Sequence, residues 1–302
     1  MTRWTTDDIP SLHGRRAVVT GTGGLGYEDA LQLARAGAEV IVAGRNPAKG
    51  EDAVQRIRQA AAWAQVRFEK LDLASLASVA RFAERLKGQV DSLDLLINNA
   101  GVMTPPKRQT TSDGFELQLG ANHLGHFALT AALLPLLRKG VSPRMISVSS
   151  VAARQGEIDF DDLNAERSYR PMPVYAQSKL ACLMFALEFE RRSRAGCWGV
   201  AGIGAHPGVA RTQLLYNTPG GHPMRRIRTA MWFLFQPVPQ GALPTLFAAT
   251  DPASQGGGYY GPDGLAEIRG FPTAAKIPPR ALDEIACARL WEASETLTGA
   301  RF

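Results

Sequence analysis

The sequence predicts an α/β protein built on a doubly wound parallel sheet of about seven strands, with helices on both faces. Short runs of Val, Ile and Leu alternate along the chain with helix-length amphipathic segments. Strands that are apolar throughout are typical of a parallel sheet covered on both sides. A glycine-rich turn, TGTGGLG, directly follows the first apolar run, at the position where such sheets bind their ligands.

The individual elements follow from hydrophobic periodicity. The predicted strands are 16–20, 39–44, 66–72, 93–98, 144–149 and 199–205, with a shorter seventh at 257–261. The predicted helices are 27–36, 48–61, 75–87, 113–138, 173–194, 241–249 and 281–297. This alternation is typical of a Rossmann fold.

No internal repeat, low-complexity tract or linker divides the chain, so we expect residues 1–302 to form a single Rossmann domain. Two segments fit the alternation poorly because they carry Pro, Gly and Arg among isolated aromatic residues: 152–172 and 211–240. Each follows the carboxyl end of a predicted strand, where open α/β sheets bind ligands. We therefore predict that both segments face the substrate.

Composition excludes several classes of protein. The formal net charge of +6 comes from 34 basic and 28 acidic residues spread along the chain, so we expect no nucleic-acid partner. Three scattered cysteines are too few for a disulfide framework or a zinc site, and we expect no bound metal. Neither a signal-peptide pattern nor a membrane-spanning apolar run is evident, which favours a cytoplasmic protein without membrane contact.

The glycine turn predicts a nucleotide site. Gly21, Gly23 and Gly26 match G-x-G-x-x-G between a strand and a helix, and Gly24 and Leu25 complete the turn. Glycines allow close backbone approach, and the helix N-terminus attracts a pyrophosphate. A tight turn without a ligand is the alternative.

The end of the second strand indicates which dinucleotide binds there. NAD sites usually carry an acidic residue at this point, but this chain has Gly44 followed by Arg45. A guanidinium suits the 2′-phosphate of NADP(H), which we expect as the preferred cofactor, with NAD(H) as the alternative. Arg45 could instead be an ordinary surface arginine.

Tyr175 and Lys179 lie four residues apart on a predicted helix and so share a face. An adjacent ammonium stabilises a phenolate and lowers the pKa of the tyrosine, which would let Tyr175 exchange protons near neutral pH. Pairs of this kind are common by chance, so their surroundings decide their meaning.

Seven motifs occur in the order and spacing of one known family. They are TGTGGLG (20–26), LDL (71–73), NNAG (98–101), NHLG (122–125), VSS (148–150), YAQSK (175–179) and HPGVART (206–212). From about residue 14 to residue 260 the chain therefore resembles the short-chain dehydrogenase/reductase family. NHLGHFALT, the long gap between Ser150 and Tyr175, and the ending GYYGPDG…LWEASETLTG look like its retinol-dehydrogenase-like and protochlorophyllide-reductase-like branch.

The resemblance implies an oxidoreductase that transfers hydride between NADP(H) and a carbonyl or alcohol of a lipophilic small molecule. Tyr175 would be the general acid/base, Ser150 would polarise the substrate oxygen, Lys179 would lower the tyrosine pKa and bind the nicotinamide ribose, and Asn122 would hold a proton-relay water. The cofactor would also contact Asp72, Leu73, Asn99, Ala100, Gly101, Pro207, Val209 and Thr212. For Asp72 a helix cap remains the alternative. The alternatives are that Ser150 only ends a strand and that Asn122 only satisfies helix backbone groups.

Two features leave further alternatives open. The family turn usually reads T-G-x-x-x-G-x-G, and this one is a residue shorter, so a non-catalytic nucleotide-binding or sensing protein is the second hypothesis. In 222–239 we expect an apolar pocket wall formed by Met231, Trp232, Phe233 and Phe235, the alternatives being a buried helix, a dimer interface or a membrane anchor. A homodimer or homotetramer, both common in this family, is left open.

Overall fold

The computed structural model describes residues 3–210 and 235–302. Its strands are β1 Arg16–Thr20, β2 Glu39–Gly44, β3 Val66–Lys70, β4 Leu95–Asn98, β5 Arg144–Val148, β6 Ala201–Ala205, β7 Tyr259–Pro262 and β8 Pro272–Ala274. They form one sheet in the order β3-β2-β1-β4-β5-β6-β7-β8. The neighbours from β3 to β7 pair in parallel, and β8 pairs antiparallel with β7. The doubly wound parallel sheet is confirmed, with eight strands in the described residues instead of about seven.

The helices match the predicted order. They are α1 Gly24–Arg35, α2 Pro47–Ala60, α3 Leu76–Lys87, α4 Leu117–Leu119, α5 Gly125–Leu137, α6 Pro171–Ala195, α7 Val238–Thr250 and α8 Glu284–Thr298. Local signals explain several starting points. Asn46 caps α2 by accepting a hydrogen bond from the Lys49 N–H, Ser75 caps α3, and proline occupies the first turn of α2 and α6.

Two apolar layers cover the sheet because successive strand residues point to opposite faces. Val19 packs in a cluster with Leu33 of α1 and Leu246 of α7. Its neighbour Val18 packs on the other side, in a cluster with Phe82 of α3 and Phe127 of α5. Helices on both faces are thereby confirmed.

One predicted helix was wrong in detail. Residues 113–138 do not form a single helix: α4 and α5 are separated by a π-helical turn, Gly120–Leu124. The apolar pattern runs through this turn without a break, so periodicity alone could not reveal it. Such turns are frequent at functional sites, and this one carries Asn122.

The parallel pairing brings the candidate site residues to one edge of the sheet. The carboxyl ends of β1, β4, β5 and β6 lie side by side, and the glycine turn, the NNAG motif, Ser150 and the HPG motif follow them. Of the predicted substrate-facing segment 211–240, only residues 235–240 are described, and residues 238–240 already belong to α7. No helix within the described ranges combines the length and apolar character needed to cross a bilayer.

Candidate active site

The glycine turn packs tightly on one side and is open on the other. Gly21 has φ of +104°, and a Cβ there would lie 2.8 Å from Asn99 Nδ2. A Cβ on Gly26 would lie 2.7 Å from the Gly21 carbonyl oxygen. Gly23 differs, because a Cβ there would meet nothing within 4 Å. Only the middle glycine of the motif therefore faces free space.

This open side fits a dinucleotide pyrophosphate. Gly23 is the N-cap of α1, and no side chain of the described residues caps the helix. The first backbone N–H groups of α1 are thus left for an anion, at the positive end of the helix dipole. The shortened turn retains the strand–turn–helix geometry that pyrophosphate binding needs.

Thr20 ties the glycine turn to the NNAG motif. Its Oγ1 accepts hydrogen bonds from the N–H groups of Asn99 (2.9 Å) and Ala100 (3.0 Å). The Asn99 side chain donates in return to the Thr20 carbonyl oxygen, 2.8 Å away. Thr20 was missing from the predicted site residues, although it immediately precedes the glycines.

Asp72 and Leu73 follow β3 at the same edge. The Asp72 carboxylate accepts a hydrogen bond from the Ala74 N–H at 3.0 Å, and its own N–H donates to Ser78 Oγ at 3.0 Å. The helix-cap alternative for Asp72 is wrong, because Ser75 is the N-cap of α3. Leu73 lies against Gly125, where a Cβ would meet the Leu73 carbonyl oxygen.

Arg45 is exposed just after β2, and none of the described residues forms a hydrogen bond or ion pair with its guanidinium. Gly44, the preceding residue, packs against Thr22 of the glycine turn: a Cβ there would lie 2.6 Å from Thr22 Cγ2. The cation therefore follows a residue that touches the nucleotide-binding turn, and its charge remains available to an anion.

Helix α6 carries the Tyr175–Lys179 pair into the interior. Both residues are buried, and Lys179 Nζ donates a hydrogen bond to the Val148 carbonyl oxygen at 2.9 Å. Ser149 Oγ donates to the Lys179 carbonyl oxygen at 2.6 Å. Two hydrogen bonds thus connect the end of β5 to the turn of α6 that carries Lys179. Ser150 follows directly after this connection.

The hydroxyl groups of Ser150 and Tyr175 remain available. Ser150 caps a short 3₁₀ helix, Val151–Gln155, and its Oγ accepts from the Ala152 N–H at 3.2 Å. Its O–H has no acceptor within the part of the chain that the structure describes. For the Tyr175 hydroxyl, residues 3–210 and 235–302 provide no hydrogen-bond partner. Ser150 therefore does more than end a strand, since its side chain organises the following helix.

Asn122 reaches out of its helix. Its Oδ1 accepts from the Val102 N–H at 2.7 Å, and its Nδ2 donates to the Val102 carbonyl oxygen at 3.0 Å and to Ser178 Oγ at 2.9 Å. The alternative that Asn122 only satisfies helix backbone groups is wrong, because Val102 belongs to the loop after β4. A Cβ on Gly101 would lie 3.1 Å from Asn122 Oδ1 and 3.5 Å from Lys179 Nζ, so these three residues converge.

The HPG motif after β6 is held from two sides. The Val209 N–H donates to the Ile268 carbonyl oxygen at 2.8 Å, and Gly208 has φ of +61°. Buried Gln236 donates from Nε2 to the Pro207 carbonyl oxygen and from its N–H to the Val209 carbonyl oxygen, 3.1 Å away. Pro207 and Val209 thus follow the carboxyl end of β6, at the same edge of the sheet as the other candidate site residues.

The predicted cofactor contact Thr212 and three of the four predicted pocket-wall residues, Met231, Trp232 and Phe233, lie outside the described residues. Phe235 is described and is half-buried.

A charge network supports the HPG motif and was missing from the predictions. His206 Nε2 lies 2.8 Å from Glu267 Oε2, and Arg154 Nη2 lies 2.5 Å from the same oxygen. The Gly208 N–H donates to His206 Nδ1 at 3.2 Å, so the ring carries its proton on Nε2. Burial lowers the pKa of His206, against the opposing effect of Glu267. Such contacts between distant residues leave no motif in the sequence.

Comparisons with known proteins agree with this geometry. A family model described as short chain dehydrogenase matches residues 15–220. Human Retinol dehydrogenase 13 is 41% identical over 298 residues, which cover 96% of this chain and 86% of that protein. Mouse Polyprenol dehydrogenase is also 41% identical over 298 residues, 97% of this chain and 86% of that protein.

Solved structures show the same fold. An uncharacterized protein from Mycobacterium paratuberculosis has 39% identity and a TM-score of 0.82, covering 100% of this chain and 99% of its own. The NADP complex of Pseudomonas aeruginosa RhlG has 23% identity and a TM-score of 0.63, covering 82% of this chain and 94% of its own, which supports the fold alone. Together with the matched family model, these relatives show that the chain is an oxidoreductase of the short-chain dehydrogenase/reductase family, in its retinol-dehydrogenase-like branch.

Proposed function

We propose that this oxidoreductase uses NADP(H) to interconvert a carbonyl and an alcohol on a lipophilic small molecule. The observation that carries the proposal is the convergence on Lys179: its ammonium bonds to the end of β5 that leads into Ser150, and it lies beside Asn122 and Gly101. Tyr175 stands one turn earlier on the same helix. A sensing protein that performs no chemistry would have no need for this arrangement.

The dinucleotide, when bound, supplies or accepts the hydride. In the reducing direction, Tyr175 donates its hydroxyl proton to the carbonyl oxygen as negative charge develops there. Ser150 donates a hydrogen bond to the same oxygen, because its Oγ already accepts from Ala152 and its O–H has no acceptor among the described residues. Lys179 stabilises the phenolate that remains on Tyr175, and Asn122 orders the loop of Val102 beside the lysine.

The preference for NADP(H) follows from Arg45. An exposed guanidinium next to the nucleotide turn, without a partner among residues 3–210 and 235–302, favours a ligand with an additional phosphate, whereas a ribose diol would call for an acidic residue. The pyrophosphate would bind at Gly23 and the uncapped N-terminus of α1.

The lipophilic substrate class is supported by the relatives' names, since retinol and polyprenol are both long apolar alcohols. Phe235 is half-buried and directly precedes Gln236, which contacts Pro207 and Val209, and this agrees with an apolar wall. We therefore propose long-chain or isoprenoid aldehydes, ketones or alcohols as substrates.

Titration of the purified protein with NADPH and with NADH, followed by tryptophan fluorescence, tests the cofactor assignment. We expect NADPH to bind more tightly, and Arg45→Asp to weaken NADPH by about tenfold or more while leaving NADH binding nearly unchanged. Arg138→Asp, an equal charge change at the exposed far end of α5, is the matched control. If neither dinucleotide bound at millimolar concentration, the proposal would fail in favour of a non-catalytic scaffold.

A further inference from the structure

His126 connects two parts of the site that are far apart in sequence. It lies in the first turn of α5, and its ring is buried, with 2% of its surface exposed. Nδ1 is 2.9 Å from the Asn122 carbonyl oxygen, and Nε2 is 2.9 Å from Thr20 Oγ1. One ring thus touches both the catalytic asparagine turn and the nucleotide-binding turn.

The partners of the ring fix the position of its proton. The Asn122 carbonyl can only accept a hydrogen bond, so Nδ1 must carry the hydrogen. Burial lowers the pKa of His126 to about 4, and the charge of Lys179 adds to the effect. The ring is therefore neutral near pH 7, and Nε2 is left as an acceptor for the Thr20 hydroxyl.

Thr20 completes this chain of hydrogen bonds. Its oxygen already accepts two backbone N–H groups, from Asn99 and Ala100, so its single hydrogen must be donated elsewhere. His126 Nε2 at 2.9 Å is a nearer acceptor than the Ile97 carbonyl oxygen at 3.2 Å. When the Thr20 O–H donates to His126 Nε2, every hydrogen-bonding position of the Thr20 hydroxyl is used.

The Asn122 end of this hydrogen-bond chain is also held by several contacts. The Asn122 carbonyl oxygen also accepts from Cys182 Sγ at 3.1 Å, and Cys182 lies on α6, three residues after Lys179. Side chains from α5 and α6 therefore fix this carbonyl together. The side chain of Asn122 in turn holds Val102 and Ser178.

We propose that His126 is a positioning residue that couples the nucleotide-binding turn to Asn122 through the Thr20–His126–Asn122 hydrogen-bond chain. A shift of the nucleotide-binding turn therefore moves Asn122, and a shift of Asn122 moves the turn. The position of the bound dinucleotide and the position of the Asn122 side chain depend on each other. This inference rests on the roles proposed above for Asn122 and the glycine turn.

Nitrogen NMR of protein labelled with ¹⁵N-histidine tests the chain without any measurement of activity. The protein has five histidines, and the His126 signals are those absent from a His126→Asn sample. We expect a neutral ring with its proton on Nδ1 throughout the neutral pH range. A proton on Nε2, or titration near the ordinary histidine pKa, would overturn the proposal.

Substitutions test the coupling itself. His126→Phe removes both hydrogen bonds, and we expect it to lower kcat by about tenfold or more and also to weaken NADPH binding. His126→Asn keeps an amide donor at the position of Nδ1 but loses the acceptor for Thr20. It should restore kcat to within about threefold of the parent while NADPH binding stays weakened.

His123→Phe is the matched control. His123 lies in the adjacent π-helical turn and is equally buried, but its Nε2 faces α8, 2.8 Å from Ser294 Oγ. We expect this change to lower stability while kcat and NADPH affinity stay close to the parent's values. The proposal is overturned if His126→Phe has the parent's kcat and NADPH affinity, or if His123→Phe lowers both as much as His126→Phe does.

The outcomes separate this inference from the proposed function. Activity retained by Tyr175→Phe would refute the proposed function whatever the His126 variants show. An inactive Tyr175→Phe together with unaffected His126 variants would refute the coupling alone.

Discussion

Lys179 Nζ donates a hydrogen bond to the backbone carbonyl of Val148, 2.9 Å away, although 31 residues separate them in sequence. This bond fixes the lysine at the last residue of β5, two residues before Ser150. The ammonium is buried and lies beside Asn122 and Gly101. Burying a cation costs free energy, so its presence here favours a role in chemistry over one in stability.

Lys179→Met should therefore remove activity and preserve the fold. We expect kcat to fall by about 100-fold or more, since the phenolate of Tyr175 loses its stabilising charge. Urea unfolding should show no major loss of stability. A variant with a kcat within a few-fold of the parent would contradict the role given to Lys179.

Gly23 and Gly26 of the nucleotide turn should respond differently to alanine. Gly26→Ala should cost about 1–3 kcal/mol of stability, because the added Cβ collides with the Gly21 carbonyl oxygen. Gly23→Ala should leave stability within about 1 kcal/mol, since the Cβ enters open space. That open space is where the pyrophosphate would approach, so Gly23→Ala should weaken NADPH binding. Unchanged NADPH affinity in Gly23→Ala would place the pyrophosphate elsewhere.

Glu267 should contribute to stability in a definite pH range. Burial opposes its ionisation, but hydrogen bonds from His206 and the Lys276 N–H, with the charge of Arg154, outweigh it and lower the pKa of Glu267 to about 2. A lowered carboxyl pKa stabilises the fold above the ordinary value of 4.5, and this stability is lost as the pH falls toward 2.

Glu267→Gln should accordingly have a lower Tm than the parent at pH 7, with the difference shrinking below about pH 4.5. Thermal unfolding of both proteins across this range measures the effect. Glu292→Gln, a change of an exposed glutamate on α8, serves as the control. A difference in Tm between the two proteins that stays constant down to acid pH would argue against the ion-pair network.

Asp29 should have the opposite effect to Glu267 on the pH dependence of stability. It is fully buried on α1, and neither carboxylate oxygen has a hydrogen-bond partner among the described residues. Burial, together with the nearby charge of Glu28, raises the pKa of Asp29 well above its ordinary value of 3.8. With a raised pKa, the stability present at acid pH is lost as the pH rises through the folded-state value.

Asp29→Asn cannot ionise, so it should be more stable than the parent at pH 7, by about 1–3 kcal/mol. The gain should disappear as the pH is lowered toward about 4, which urea unfolding at several pH values would reveal. Asp52→Asn changes an exposed carboxylate on α2 and should show no such gain. Equal stability of Asp29→Asn and the parent at every pH would contradict the burial argument.

The sequence predicted the sheet well because its strands are apolar throughout. The predicted bounds of β1 and β2 match the structure to the residue, since polar or glycine residues flank both runs. The strand β8 was missed because Pro272–Ala274 is a three-residue edge strand without an apolar run. The π-helical turn at Asn122 was missed because it leaves the hydrophobic pattern intact.

Candidate site residues could be proposed from the sequence only where they belong to motifs. Tyr175, Lys179, Ser150 and Asn122 stand in short recognisable stretches, and parallel strand pairing brings their elements to one edge. The contacts that organise them are set by tertiary packing: His126 meets Thr20 across 106 residues, and His206 meets Glu267 across 61. No periodicity or spacing rule encodes such pairs.

The most direct test is the rate of NADPH-dependent reduction of a lipophilic aldehyde by Tyr175→Phe. This change removes a single hydroxyl, and we expect it to abolish turnover while the Kd for NADPH stays within a few-fold of the parent. Tyr260→Phe is the control, because its hydroxyl accepts a structural hydrogen bond from the Gln255 N–H at 3.0 Å. Substantial turnover by Tyr175→Phe would mean that another group delivers the proton, and the assignment of this site would be wrong.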